Sequence, residues 1–178
     1  FLERLPENRI TVLDEAYFEY VDDRDYPNGV ELMERFPGLV VTRTFSKAYG
    51  LAGLRVGYAI ASEAITEILN RVRQPFNVNS LALAAAEAAL SDAEFVRVSR
   101  EENIKGMGQL CRGFEALDLG WIPSSGNFIC VKVGSKANQI YMSMLSQGVI
   151  VRPVANYGLP EHLRVTIGLP QENQRLLE

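Results

Sequence analysis

Histidine and cysteine are scarce. His162 is the only histidine, and Cys111 and Cys130 are the only cysteines, in 178 residues. One imidazole and two thiols nearly exclude a zinc site of the usual Cys/His type. Two cysteines do not make a disulfide framework, which points to a reducing compartment, the cytoplasm. A Ser-His-Asp triad would have to use His162, and no nucleophile motif accompanies it. Positive charge is not in excess: 18 Lys and Arg stand against 22 Asp and Glu, a net charge of −4. That balance argues against nucleic acid as the main partner, because phosphate backbones select a basic face. No apolar run approaches the roughly 20 residues of a membrane helix, and no signal-peptide pattern opens the chain.

What is present is an ordinary globular composition, 47% hydrophobic and 22% charged, enough to form a core. Ile10 to Leu13 reads as a buried strand ending at Asp14-Glu15. Residues 22–29 read as a polar turn, and Pro37-Gly38 as another. Leu39 to Phe45 reads as a strand ending at Ser46-Lys47, and Val56 to Ala61 as a third. Residues 62–73 carry Ile65, Ile68, Leu69 and Val72 at helical spacing, with Ser62 as N-cap. Residues 80–90, rich in Ala and Leu, read as a buried helix. Ser91 and Glu94 fit a capping box opening a helix to about residue 117, long enough to connect two lobes.

Beyond that helix, Phe128–Val133, Val149–Pro153 and Leu163–Gly168 read as strands. Lys136–Gln147 reads as a helix stopped by Gly148. The class is α/β, with residues 1–94 the end of a mostly parallel sheet domain and 95–178 a smaller α+β domain. The first residue is Phe, and residues 171–178 look like the opening of a helix, so the stretch reads as part of a longer protein whose last helix is truncated.

Two polar clusters fall at the carboxyl ends of expected strands, Asp14-Glu15-Ala16-Tyr17 and Ser46-Lys47. In open α/β sheets ligands bind at that edge. Taken alone, Asp14 reads as a loop-start or helix-capping carboxylate and Lys47 as a solvated surface lysine. The combination changes this. Ser46, Lys47 and Arg55 stand in fixed order among Gly50, Gly53 and Gly57, where a backbone can approach a ligand closely. A hydroxyl and a guanidinium are natural phosphate partners. The Gly-x-x-x-x-Gly-Lys spacing of a nucleotide-binding loop is absent. A lysine can instead form a Schiff base. Pyridoxal phosphate needs an amine for its aldehyde, donors for its phosphate and a carboxylate for its ring nitrogen, and Asp14, Ser46, Lys47 and Arg55 supply that set. Arg164, between Leu163 and Val165, falls on the opposite strand face and can project into a cleft or into solvent. Asn127 reads equally as a substrate contact and as a strand-start residue. Tyr49, Tyr58, Tyr157, Met142 and Met144 read as packing residues, and His162 as a surface residue.

These residues resemble a known family. Asp14-Glu15-Ala16-Tyr17, followed by Ser46-Lys47-Ala48-Tyr49-Gly50-Leu51-Ala52-Gly53-Leu54-Arg55-Val56-Gly57, is similar to the fold-type I pyridoxal-phosphate aminotransferases of class I/II. The likeness continues through Ser125-Gly126-Asn127-Phe128, Gly148 to Pro153 and Leu163 to Gly168, and within the class it is strongest to the histidinol-phosphate aminotransferases. The resemblance implies that Lys47 holds the cofactor, Asp14 pairs with its ring nitrogen and Tyr17 hydrogen-bonds its phenolic oxygen. Thr44, Ser46 and Arg55 would bind the phosphate. Arg164 would clamp a carboxylate, Arg152 the phosphate of histidinol phosphate, and Asn127 would touch substrate. It also implies a homodimeric enzyme of histidine biosynthesis using 2-oxoglutarate, of which this stretch is the C-terminal half. The half alone would lack the phosphate-cradling helix N-terminus and the ring-stacking aromatic, and is expected to be inactive. The alternatives are an aromatic-amino-acid aminotransferase, a threonine-phosphate decarboxylase-like lyase on the same scaffold, and a ligand-sensing module of a regulator.

Overall fold

Leu39, Val40 and Val41 are the most deeply buried consecutive residues of the N-terminal part, between 0% and 6% exposed. Their β-branched and γ-branched side chains favour a strand covered on both faces. The computed structural model describes residues 1–178 except Glu7. The chain divides into two units, Phe1–Arg97 and Val98–Glu178.

In the first unit, strand β1 (Thr11–Asp14) is followed by a 3-10 turn, Phe18–Tyr20, and a single-turn helix, α1 (Gly29–Leu32). Strands β2 (Leu39–Thr44) and β3 (Gly57–Ile60) come next, then helices α2 (Glu63–Val72) and α3 (Ser80–Leu90). The sheet order is β1-β2-β3. β1 runs parallel to β2, with Asp14 opposite Thr42. β3 runs antiparallel to β2, with Arg43 opposite Tyr58. Phe45, Val56, Ala82 and Ala86 form an apolar cluster with Tyr49, Leu51, Leu54 and Tyr58 packed around it. The Phe45 ring is 4.9 Å from that of Tyr49 and 5.7 Å from that of Tyr58, which makes both tyrosines packing residues as expected.

The division between the units falls inside the long helix α4 (Ala93–Ala116). In the second unit, strands β4 (Trp121–Ile122), β5 (Phe128–Lys132), β6 (Arg152–Pro153) and β7 (His162–Thr166) form a sheet ordered β4-β5-β7-β6, in which every paired neighbour is antiparallel. Helices α5 (Ala137–Ser146) and α6 (Pro170–Leu177) complete it. Leu110, Phe114, Ile129, Val131, Leu163 and Val165 form the core. Leu163 and Val165 face inward while Arg164 does not, as the alternation requires. Gly148, at φ +80°, ends the turn after α5, a left-handed position that favours glycine. Glu172 reaches back to accept from Leu169 N–H at 2.7 Å, securing the start of α6.

Several local expectations are corrected. Ile10 and Val12 are 64% and 62% exposed, so the first strand is not buried: β1 is an edge with one face open. α3 buries only Ala82 and Ala86, while Leu81, Leu83 and Leu90 stay exposed. The stripe of α2 is uncovered among the described residues, with Ile68, Leu69 and Val72 exposed. The helical spacing is present in both, and burial depends on a partner surface that spacing does not supply. The segment Val149–Pro153 extends only at Arg152–Pro153. Ser62 sits before α2 without a side-chain cap. Ser91 closes α3, and the residue that caps α4 is Asp92, whose Oδ1 accepts from Phe95 N–H at 3.0 Å. Asp92→Ala is therefore expected to lower stability by about 1 kcal/mol, and Ser91→Ala to change it by less than about 0.5 kcal/mol. Urea denaturation of the two variants checks this ordering.

Candidate cofactor site and cation pair

Because β1 and β2 are parallel, their carboxyl ends lie on one edge of the sheet. Asp14 ends β1 opposite Thr42, and Ser46-Lys47 follow β2 immediately. Asp14 is exposed, and its Oδ1 accepts from Ala16 N–H at 3.1 Å, which turns the chain so that Tyr17 follows at the same edge. The Lys47 Nζ lies 5.3 Å from the centre of the Tyr17 ring. The carboxylate and the amine thus share one end of one strand pair.

The turn holding Lys47 is closed by Gly50 N–H donating to Lys47 O at 2.9 Å. Gly50 has φ +71°, which an L side chain adopts only with strain. Thr44 Oγ1 accepts from Ser46 N–H at 3.1 Å, which leaves its own proton available to a ligand. Arg55 Nη1 donates to Ala52 O at 3.0 Å and to Ser46 Oγ at 3.4 Å. Arg55 is a non-glycine residue at φ +54°, a strained conformation of the kind that clusters at functional sites. Its guanidinium is brought beside Ser46 and stays exposed. Two hydroxyls and an exposed guanidinium suit a phosphate, an amine suits an aldehyde, and the Asp14 carboxylate suits a protonated ring nitrogen. The residues present therefore fit pyridoxal phosphate. A cleft of about 570 Å³ in this unit lies elsewhere, around Pro6, Arg9, Phe36 and Leu39. It sits at the starts of β1 and β2, away from every candidate residue.

In the second unit, Arg164 on β7 lies directly across from Arg152 on β6 and from Cys130 on β5. Directly opposed residues share a sheet face. The two arginines therefore share one sheet face, and among the described residues neither has a carboxylate partner. Arg164 is held over the Phe128 ring, 4.9 Å from its centre. Asn127, just before Phe128, accepts from Ile167 N–H through its carbonyl at 2.9 Å. Burial pushes the thiols of Cys111 and Cys130 up, the wrong direction for nucleophiles. His162, expected at the surface, is half-buried and opens β7.

Sequence reasoning assigned nothing to Glu15, Glu19 or Arg43. Glu15 is 1% exposed. Its Oε2 accepts from Arg43 Nη2 at 2.8 Å and Nε at 3.0 Å, and its Oε1 from Gly29 N–H at 2.8 Å. Burial draws the Arg43 pKa down, but the Glu15 carboxylate and Tyr58 outweigh it and leave the group above its ordinary value. Glu19 is half-buried, with Oε2 unpartnered. Burial raises its pKa, against the opposing pull of its backbone hydrogen bond and of Arg43. The available signal for Glu15 was its period: one residue after Asp14 on a strand, it must face the opposite side of the sheet.

The profile of the family "Aminotransferase class I and II" matches residues 1–178. Over its whole length the chain is 60% identical to histidinol-phosphate aminotransferase 2 of Pseudomonas fluorescens strain Pf0-1. It is 52% identical to histidinol-phosphate aminotransferase 1 of Nitrosococcus oceani. It spans 48% of the length of each, about half. Among solved structures it is similar to the histidinol-phosphate aminotransferase of Sinorhizobium meliloti in complex with pyridoxal-5'-phosphate. There the TM-score is 0.88 and the identity 31%, over 98% of this chain and 48% of that one. An L-threonine-O-3-phosphate decarboxylase from Porphyromonas gingivalis, with TM-score 0.81 and 24% identity over 96% of this chain and 54% of that one, shares the fold alone.

The raised pKa of Glu19 carries a pH signature. A carboxyl whose folded pKa lies above its unfolded value stabilises the fold below the unfolded pKa, and that contribution is lost as pH rises through the folded one. Glu19→Gln is expected to be more stable than the parent at neutral pH, with the difference shrinking as pH falls below the ordinary glutamate range. Thermal melts of the two proteins across pH 3–8 (roughly the span around that range) measure it.

Proposed function

The chain belongs to the aminotransferase class I and II family, and from that premise we propose that it is the C-terminal half of a fold-type I, pyridoxal-phosphate-dependent histidinol-phosphate aminotransferase. The observation that carries this reading is the Lys47 amine 5.3 Å from the Tyr17 ring, on the strand edge that also bears Asp14 and the Ser46–Arg55 contact. When bound, the cofactor supplies an electron-withdrawing ring that stabilises negative charge at the Cα of an amino donor.

The chain's own residues divide the remaining work. Lys47 would offer its primary amine to the cofactor's aldehyde, and its free amine would serve as the base for the Cα proton of the donor. Asp14 supplies the negative charge that keeps a proton on the ring nitrogen, since an adjacent anion favours the charged form. Tyr17 would donate its hydroxyl to the ring oxygen. Thr44 and Ser46 would donate hydroxyls to the cofactor phosphate, and Arg55 would add a charge-assisted contact. In the second unit, Arg152 meets the phosphate of the donor and Arg164 the carboxylate of 2-oxoglutarate or glutamate, with Asn127 a further polar contact. Two arginines on one sheet face, without acidic partners among the described residues, suit substrates that carry phosphate or carboxylate.

Residues 1–94 are read as the last part of the large cofactor-binding domain and residues 95–178 as the small domain. The intact enzyme is read as a cytoplasmic homodimer; among the described residues, no helix is long and apolar enough to cross a membrane.

In the intact protein, Lys47→Ala is expected to abolish covalent retention of the cofactor and lower kcat by roughly 10²–10⁴-fold. A variant that keeps both sinks the assignment of Lys47. Product analysis tests the reaction class: amino transfer from histidinol phosphate must require 2-oxoglutarate, whereas carbon dioxide release without an oxo acid assigns a lyase. Competition between histidinol phosphate and phenylalanine tests the donor, and preference for phenylalanine replaces it with an aromatic amino acid.

A further inference from the structure

Glu15 and Arg43 take no part in the roles above, yet Glu15 directly follows Asp14 and Arg43 directly precedes Thr44. The Glu15 N–H donates to Thr42 O at 2.9 Å, extending the β1–β2 ladder by one step. Arg43 directly follows Thr42 and precedes the Thr44–Lys47 run. Their side chains meet across the strand pair on the face opposite Asp14 and Thr44, with side-chain exposures of 0% for Glu15 and 13% for Arg43. Both Nε and Nη2 of Arg43 go to one carboxylate oxygen, which leaves the other for Gly29 N–H.

The same guanidinium has two further holds. Nη2 donates to Asn28 Oδ1 at 3.0 Å, and its carbon lies 3.7 Å from the centre of the Phe18 ring. Phe18 adjoins Tyr17, whose ring faces the Lys47 amine. The fit around Gly29 is tight: a Cβ there would come within 2.7 Å of Glu15 Oε1 and of Leu13 Cδ2. One ion pair thus ties together the end of β1, the Tyr17–Phe18 turn, the loop entering α1 and the end of β2.

We propose that Glu15 and Arg43 are a pair of positioning residues that set the spacing of Asp14 and Tyr17 from Lys47 and so tune how the bound cofactor is held. The inference rests on the cofactor-site reading given above. A stable fold does not by itself require a charged pair at this position, because a buried ion pair can often be replaced by uncharged side chains without loss of stability, whereas removing one partner leaves an uncompensated charge.

The experiment uses the intact protein, pyridoxal phosphate as probe, and three variants: Glu15→Gln, Arg43→Lys, and the double Glu15→Gln/Arg43→Met. The double variant removes both charges, while the amide oxygen introduced by Glu15→Gln can still accept from Gly29 N–H. Three quantities are read: the thermal midpoint, the dissociation constant for pyridoxal phosphate, and the pH midpoint of the bound cofactor's visible absorbance.

Each variant is expected to bind the cofactor about tenfold to hundredfold more weakly and to shift the absorbance midpoint. In the double variant the thermal midpoint returns toward the parent while affinity and absorbance midpoint do not. Parent-like affinity and midpoint in the folded double variant overturn the proposal, as does a double variant that does not fold, since the pair is then needed for stability alone. A parent protein that forms no visible-absorbing complex overturns this inference together with the reading it rests on, whereas normal binding by both parent and variants overturns only the inference.

Discussion

The parallel pairing of β1 with β2 is the constraint on which the candidate site depends. In a parallel pair both strands finish at the same edge, so turns separated by some thirty residues of sequence open side by side. The Asp14 turn and the Ser46–Lys47 turn are neighbours for that reason. Had the two strands been joined as a hairpin, their carboxyl ends would lie at opposite edges, and no single small molecule could touch both.

That edge carries local costs which the surrounding structure offsets. Glu15 is a buried carboxylate, unfavourable unless fully hydrogen-bonded, and it is satisfied at both oxygens by Arg43 and Gly29. Arg55 occupies the left-handed region without being glycine, and its side chain recovers contacts to Ala52 O and Ser46 Oγ in that conformation. Gly50 takes a similar conformation at no side-chain cost and closes the Lys47 turn. Behind the edge lie the apolar β2 centre and the Phe45 cluster; Asp14 and Arg55 stand exposed in front, with Ser46 and Lys47 half-buried.

Most of the candidate residues could be read from sequence because their meaning is local. Ser46, Lys47, Arg55 and the intervening glycines lie within twelve residues of one another, and their types suit an aldehyde and a phosphate at that spacing. Arg164 could be placed outside the core because Leu163 and Val165 alternate with it. The Arg152–Arg164 neighbourhood could be suspected from residue type but not from pattern, since β6 is two residues long and its register against β7 is set by pairing. Glu15 and Arg43 escaped notice because their significance lies in each other, and 28 positions separate them. Asp92 took the capping role expected of Ser91 because two adjacent residues were both good cappers, and the end of α3 had already used the first.

By itself the amino-acid sequence determined the alternation of strands and helices, the punctuation at Gly148, the inward set of β5 and β7, and the chemical inventory of the Lys47 segment. These follow from backbone sterics and side-chain period, which act over a few residues. Only the tertiary structure decided that β1 lies beside β2, that Arg43 rather than water satisfies Glu15, that Arg152 stands across from Arg164, and that the apolar faces of α2 and α3 remain open. Such outcomes depend on which distant surfaces meet, and a contact between distant residues is chosen by the packing free energy of the whole unit rather than by the preferences of either residue alone.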